Sequence, residues 1–179
     1  VYKRQPLRNG ILWLDGRATE QIRAYGTDRV HQLSGKPAGV TPAIYKMAWL
    51  KQYEPDAFAQ ADKVIDVGSY ICFNLTDRWA TSEASADSLG LFDIESRTWA
   101  DELLEIAGVQ CDQMADLVPP ADVIGYLRPE LVTDWGLDGP IRVVAGLGDG
   151  QAAGIGAAAI TPDIAYLCLL YTSDAADER

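Results

Sequence analysis

One stretch constrains the fold of this chain more than any other: Val143-Val144-Ala145-Gly146-Leu147-Gly148-Asp149-Gly150-Gln151-Ala152-Ala153-Gly154-Ile155-Gly156. Arg142 to Ala145 is β-branched and reads as a strand. Gly146 to Gly150 reads as a tight turn, and Gln151 to Ala159 as an Ala- and Gly-rich helix. Strand, glycine turn and helix in succession belong to an α/β fold, whose open sheets place ligands at the carboxyl ends of strands. Glycines on both sides of Asp149 let a substrate approach the backbone closely. A carboxylate there can take a proton from an attacking hydroxyl, a step worth roughly 10²–10⁴ in rate. The same pattern also describes an aspartate capping a helix after a glycine turn, which needs no catalysis. Ala152, Ala153, Gly154 and Gly156 are small enough for the helix to pack close to the sheet. A dinucleotide fingerprint does not fit, because Gly150 arrives one residue too soon for GxGxxG, and the Gly-Lys-Ser/Thr of a Walker A loop is missing.

The rest of the chain alternates loosely between strand and helix signals. Ile11 to Leu14 reads as a buried strand ending at Asp15-Gly16, with Trp13 in the core and Asp15 and Arg17 as turn or ion-pair residues. Helices are expected over Ala18–Tyr25 and Asp28–Leu33, stopped by Gly26 and Ser34-Gly35. A third should begin at Thr41-Pro42, with Thr41 as cap and Pro42 first in the helix. Its apolar face would carry Ile44, Met47, Ala48 and Leu50, leaving Lys46, Lys51 and Gln52 more exposed. Pro55 restarts a short helix through Ala61, Lys63–Val67 reads as a strand, and Ser69–Leu75 as a helix burying Tyr70, Ile71 and Phe73. Ala80–Ser88 reads as a loop or a tightly packed turn, Leu91–Asp93 as a short strand, and Trp99–Ala107 as an amphipathic helix closed by Gly108. Short helices follow over Cys111–Leu117 and from Pro129 to Trp135, then a turn over Gly136–Pro140.

Composition bounds the function. A net charge of −11 repels phosphate backbones, so a nucleic-acid partner is not expected. No apolar run approaches the roughly 20 residues that span a bilayer, so no membrane partner is expected. No secretory pattern is visible, and three cysteines at 72, 111 and 168 fit reduced thiols in a cytoplasmic protein. Their spacing suits neither zinc nor CxxC chemistry, and no metal-ligating set is expected. His31, the single histidine, sits in a polar helical stretch with no nucleophile elbow and reads as a surface residue.

Five segments in order resemble the FGGY carbohydrate kinases, and within them the xylulokinase-like branch. Ile11-Leu12-Trp13-Leu14-Asp15-Gly16-Arg17 is similar to the family's Leu-Trp-x-Asp-x-Arg segment. Ser34-Gly35 with Lys46 and Trp49-Leu50 is similar to its Thr-Gly…Lys…Trp-Leu segment. Asp62-Lys63-Val64 to Leu75-Thr76 resembles the stretch ending Leu-Thr-Gly, with Asp77 in place of the glycine. Leu91-Phe92-Asp93 with Trp99, and Gly146-Leu147-Gly148-Asp149 with Gln151-Ala152-Ala153, match two further motifs. The resemblance spans nearly all of residues 6–167. It implies a ribonuclease H-like domain of the actin and hexokinase superfamily, incomplete at both ends. It implies a transferase of carbohydrate metabolism, moving the ATP γ-phosphate to a ketose or polyol, xylulose-like, with Mg²⁺.

On that resemblance Asp149 is the general base, and Asp149, Gly150, Gln151 and Thr41 are the candidate substrate contacts. Gln151 could instead be a first-turn residue facing water, and Thr41 only a cap. Thr41 falls near a segment that supplies an aromatic contact in glycerol kinases, so its identity disfavours glycerol. Gly150 stands where relatives often place a substrate-contacting side chain, and Ser82 stands where many have Asp. ATP and Mg²⁺ are expected to bind largely on parts outside these residues, as are the family's phosphate loop and early substrate segment. The piece alone is therefore expected neither to phosphorylate a sugar nor to fold unaided. Residues 1–5 and 168–179 read as sequencing-adapter scars around a partial sugar-binding domain over 6–167. A homodimer is among the assemblies the full-length form could make. The competing reading is a sugar-binding or regulatory domain of the same superfamily without catalysis, although retention of Asp149 is not something binding alone requires.

Overall fold

Local capping chemistry sets where several helices of this chain begin or end. The computed structural model describes residues 5–167. In chain order the elements are α1 (Thr19–Tyr25), α2 (Asp28–Ser34), α3 (Ala43–Tyr53), α4 (Pro55–Ala59) and α5 (Val67–Thr76). Then come β1 (Ala80–Ser82), α6 (Glu83–Ala86), β2 (Phe92–Asp93), β3 (Thr98–Trp99) and α7 (Asp101–Ala107). The remainder is β4 (Asp116–Val118), β5 (Val123–Tyr126), α8 (Pro129–Asp134), β6 (Arg142–Val144) and α9 (Asp149–Gly156). The Thr27 side chain caps α2 by accepting from Val30 N, and Asp66 caps α5 by accepting from Ser69 N at 2.8 Å. Gly108 closes α7 in the left-handed region at φ 77°, a conformation glycine adopts without strain.

The chain divides into two units, residues 1–146 and 147–179, and α9 belongs to the second. In the first unit β1 runs parallel to β4, with Ala80, Thr81 and Ser82 opposite Asp116, Leu117 and Val118. β2–β3 and β5–β6 are antiparallel, the latter irregular between Val123 and Gly125. The class is α/β, as the sequence indicated. Ile44, Tyr45, Leu91, Leu103 and Val109 are the largest fully buried apolar side chains, and with Met47, Leu104 and Ala107 they tie α3 to α7. A smaller cluster of Cys72, Ala80, Val118, Ile124 and Ala145 joins α5 to β1, β4, β5 and the end of β6.

Several expectations are corrected. Ile11–Leu14 is not a strand, and Leu12, Trp13 and Leu14 are exposed, Trp13 at 53%. A strand needs a neighbour for its backbone groups, and among the described residues no strand pairs with this run. Lys63–Asp66 is irregular and Val67 already opens α5; the one ladder-like bond here runs from Val64 N to Gln113 O at 3.0 Å. On α5 the buried face is Ser69, Cys72 and Phe73, while Tyr70 and Ile71 are exposed. Positions 69, 72 and 73 share a helical face that 70 and 71 cannot join. Ala80–Ser82 is a strand instead of a loop, because Asp116–Val118 supplies its partner. Cys111–Gln113 is a single 3₁₀ turn before that partner strand. Trp99 lies in β3, its Nε1 donating to Ala115 O at 2.9 Å. Pro42, with extended backbone, caps α3 in place of Thr41. The expected scar at 168–179, like residues 1–4, lies outside the described residues.

Asp77 closes α5 in the left-handed region at φ 63°. Aspartate tolerates that region better than most residues but less well than glycine. Asp77→Gly should therefore raise stability by about 0.5–1 kcal/mol, read as a higher urea midpoint.

Candidate functional site

The second unit carries the carboxylate. After β6, Ala145 is still anchored to the first unit's β5 approach, its N donating to Asp122 O at 2.8 Å. Gly148 is the extended cap of α9, and its carbonyl accepts from Ala152 N at 2.9 Å. Asp149 is thus the first residue of the helix and not its cap. Its Oδ1 accepts from Gly150 N at 2.7 Å, and the side chain is exposed. A negative charge in a first turn is favoured by the helix dipole. The Gln151 side chain reaches back, Oε1 accepting from Gly148 N at 2.9 Å. That is half of a reciprocal cap, and a Cβ on residue 148 would stand 2.5 Å from the same oxygen. Asp149, Gly150 and Gln151 are brought together on one turn.

Thr41 belongs to the first unit, exposed in the loop before α3. Beneath it sits the residue that sequence reasoning missed. Lys46 was expected to be exposed, yet it is 5% accessible, with Ile44, Tyr45, Met47 and Ala48 buried around it on α3. Its Nζ donates to Trp13 O at 2.7 Å, to Val40 O, and to Thr41 O at 3.4 Å. Burial pushes its pKa down, while the nearby Asp15 charge acts in the opposite direction. Two signals stood in the sequence: a lysine flanked by Tyr45 and Met47 within an apolar run, and its place as the lysine of the family-like segment ending in Trp49-Leu50.

Asp15 and Arg17 form the ion pair expected of them. Arg17 Nε and Nη2 each donate to the carboxylate at 2.8 Å, and Arg17 N adds a bond at 3.0 Å. The guanidinium lies over the Trp49 ring at 4.9 Å, and Trp49 stacks on Tyr53 at 5.1 Å. These bonds hold the Asp15 carboxyl well below the ordinary carboxylate range, with the Lys46 charge adding in the same direction. Ser82 is buried, and its Oγ accepts from Ala84 N to cap α6. A wide cleft of about 710 Å³ lined by Thr76, Asp77, Tyr126, Arg128 and Glu130 contains none of the residues proposed from the sequence.

Among the described residues no three His, Cys, Asp or Glu side chains gather where a metal ion could sit. None of the described helices is long and apolar enough to cross a membrane.

Residues 2–156 match the N-terminal domain of the FGGY family of carbohydrate kinases. The chain belongs to that family. It is 34% identical over 158 residues to a xylulose kinase of Klebsiella pneumoniae, covering 85% of this chain and 32% of that one. Among solved structures, a gluconate kinase from Lactobacillus acidophilus superposes with a TM-score of 0.81 at 31% identity, covering 86% of this chain and 32% of that one. The ligand-bound xylulose kinase from the same organism gives 0.80 at 31%, with the same coverage. The fold is therefore the actin/hexokinase-like α/β fold of the sugar kinases. The chain spans about a third of the length of these relatives.

The Asp15 pair yields a pH prediction. A carboxyl depressed in the folded state adds stability above its unfolded value, 3.8, and loses it as pH falls below that value. Asp15→Asn should flatten the fall in unfolding midpoint between about pH 5 and about pH 2, measured by thermal melts across that range.

Proposed function

We propose that this chain is part of an ATP-dependent carbohydrate kinase acting on a xylulose-like ketose or polyol, with Asp149 as general base. The observation that supports it is an exposed carboxylate on the first turn of α9, between two glycines, in a member of a carbohydrate kinase family. The Asp149 carboxylate takes the proton of a sugar hydroxyl as that oxygen attacks the γ-phosphorus of ATP. The bond from that phosphorus to the bridging oxygen breaks, and ADP leaves with the electron pair. Phosphoryl transfer asks little covalent chemistry of the protein and much positioning.

Gly150 leaves the space beside the base open, since a Cβ there would meet nothing within 4 Å. Gln151 is held on the same turn by Gly148 N and offers its carboxamide to the sugar. Thr41 and the half-exposed Trp13 indole supply a further sugar-facing surface on the first unit, an aromatic face being suited to the apolar side of a sugar ring or chain. Kinases use ATP with a divalent cation, but the described residues do not form a metal site, so no step is assigned to one. Such an enzyme works in the cytoplasm, where ATP is supplied.

The test is ADP release by the full-length enzyme across a panel of ketoses, aldonates and polyols, with Asp149→Asn alongside. One sugar should turn over, and Asp149→Asn should lower kcat by about 10²–10⁴ with sugar affinity kept within a few-fold. Full activity in Asp149→Asn would remove the base assignment. Sugar binding without turnover by the wild type would favour a binding domain.

A further inference from the structure

We propose that Lys46 is a positioning residue: its ammonium, bonded to the carbonyls of Trp13, Val40 and Thr41, locks two loops together as one sugar-facing surface. The inference rests on the proposed assignment of Trp13 and Thr41 to the sugar side.

An ammonium has three N–H donors and no acceptor. Three carbonyl oxygens receive them, one from residue 13 and two from residues 40 and 41. The first lies 33 positions from Lys46, and the others 6 and 5. The bonds therefore join segments far apart in sequence. Neither segment has a sheet to hold it. Residues 9–12 and 36–41 include no helix or strand, and within the turn at 12–15 Asp15 N donates to Leu12 O at 3.1 Å.

Packing alone does not account for the lysine. A lysine serving only as apolar stem extends its head to water. Here the head turns inward on a helix whose buried neighbours, Tyr45 and Met47, show that an apolar residue would fill the space. A buried charge is costly unless its bonds are made. What this charge secures is the spacing between the Trp13 backbone and the Thr41 backbone. Thr41 is exposed directly above the bond its own carbonyl accepts. The three bonds run to residues 13, 40 and 41, all in the first unit.

The experiment uses the full-length enzyme and the sugar that the wild type turns over. Lys46→Met keeps the stem and removes the donors. The expected result is a sugar KM raised at least tenfold, with kcat and the KM for ATP within about threefold. A purely structural lysine would instead lower the active fraction, reducing kcat with the sugar KM unchanged, and that outcome overturns the proposal. In Lys46→Ala, added propylammonium should restore the sugar KM, whereas tetramethylammonium, which has charge but no N–H, should not. Equal effects of the two ions overturn it. A readout independent of variant folding is amide hydrogen exchange in the wild type. Saturating sugar should slow exchange at Leu14–Gly16 and at Val40–Thr41 together, and no change at either segment overturns the proposal. A wild type that phosphorylates no sugar in the panel removes the functional reading and this inference with it. An active wild type with an unmoved KM in Lys46→Met removes this inference alone.

Discussion

Helix α3 packed against α7 is the contact on which the first unit depends. Ile44 and Leu103 are fully buried, and each such side chain contributes about 1.5–3 kcal/mol of hydrophobic stabilisation. Other features are referred to the same helix. Gly90 must be glycine because its φ is +71° and a Cβ would approach Pro42 and Ile44 to 3.0 and 3.3 Å. Trp49, half a turn beyond the core face, gives Arg17 a ring to lie on, and Arg17 in turn holds Asp15. Lys46 lies in the first turn of the helix and reaches the loops at residues 13 and 40–41. The interior that stabilises the unit and the spacing of the loops at residues 13–17 and 40–41 are therefore set by one element.

Helices were legible in the sequence because their boundaries follow from neighbouring residues. Gly35 and Gly108 act on backbone groups within a turn of themselves, and each stands where the pattern put it, while Thr27 caps α2 in the same local way. Strands were less legible because a strand is defined by a partner. Val64-Ile65 has the β-branched composition of a strand and none of the pairing, whereas Ala80-Thr81-Ser82 has weak composition and a partner 36 residues away. Trp13 failed for the same reason. An apolar run was read as buried, but burial depends on what lies over it.

The candidate site divides in a similar way. The glycine turn and its carboxylate were readable, since strand, turn and helix are local. That Gly148 and not Asp149 caps α9 was not, because it depends on Gln151 folding back onto the cap nitrogen. The difference matters chemically. A capping carboxylate spends its oxygens on the amides of the helix's second and third positions. A carboxylate one residue further on accepts from Gly150 N and is exposed.

Family membership and substrate choice rest on different parts of this architecture. Kinases named for gluconate and for xylulose share the fold of this chain equally well, so the backbone alone does not select the sugar. Selection must come from what varies on a common frame, such as the side chain after Asp149, absent here as Gly150, and the loops at residues 13 and 40–41 of the first unit. Those loops have no ladder of their own, so their spacing needs a fixed reference. A single buried ammonium with three carbonyl partners provides one, because losing any one bond leaves a charge under-solvated in the interior. Because the bonds are to backbone carbonyls, such a frame fixes the positions of residues 13 and 41 whatever side chains they carry.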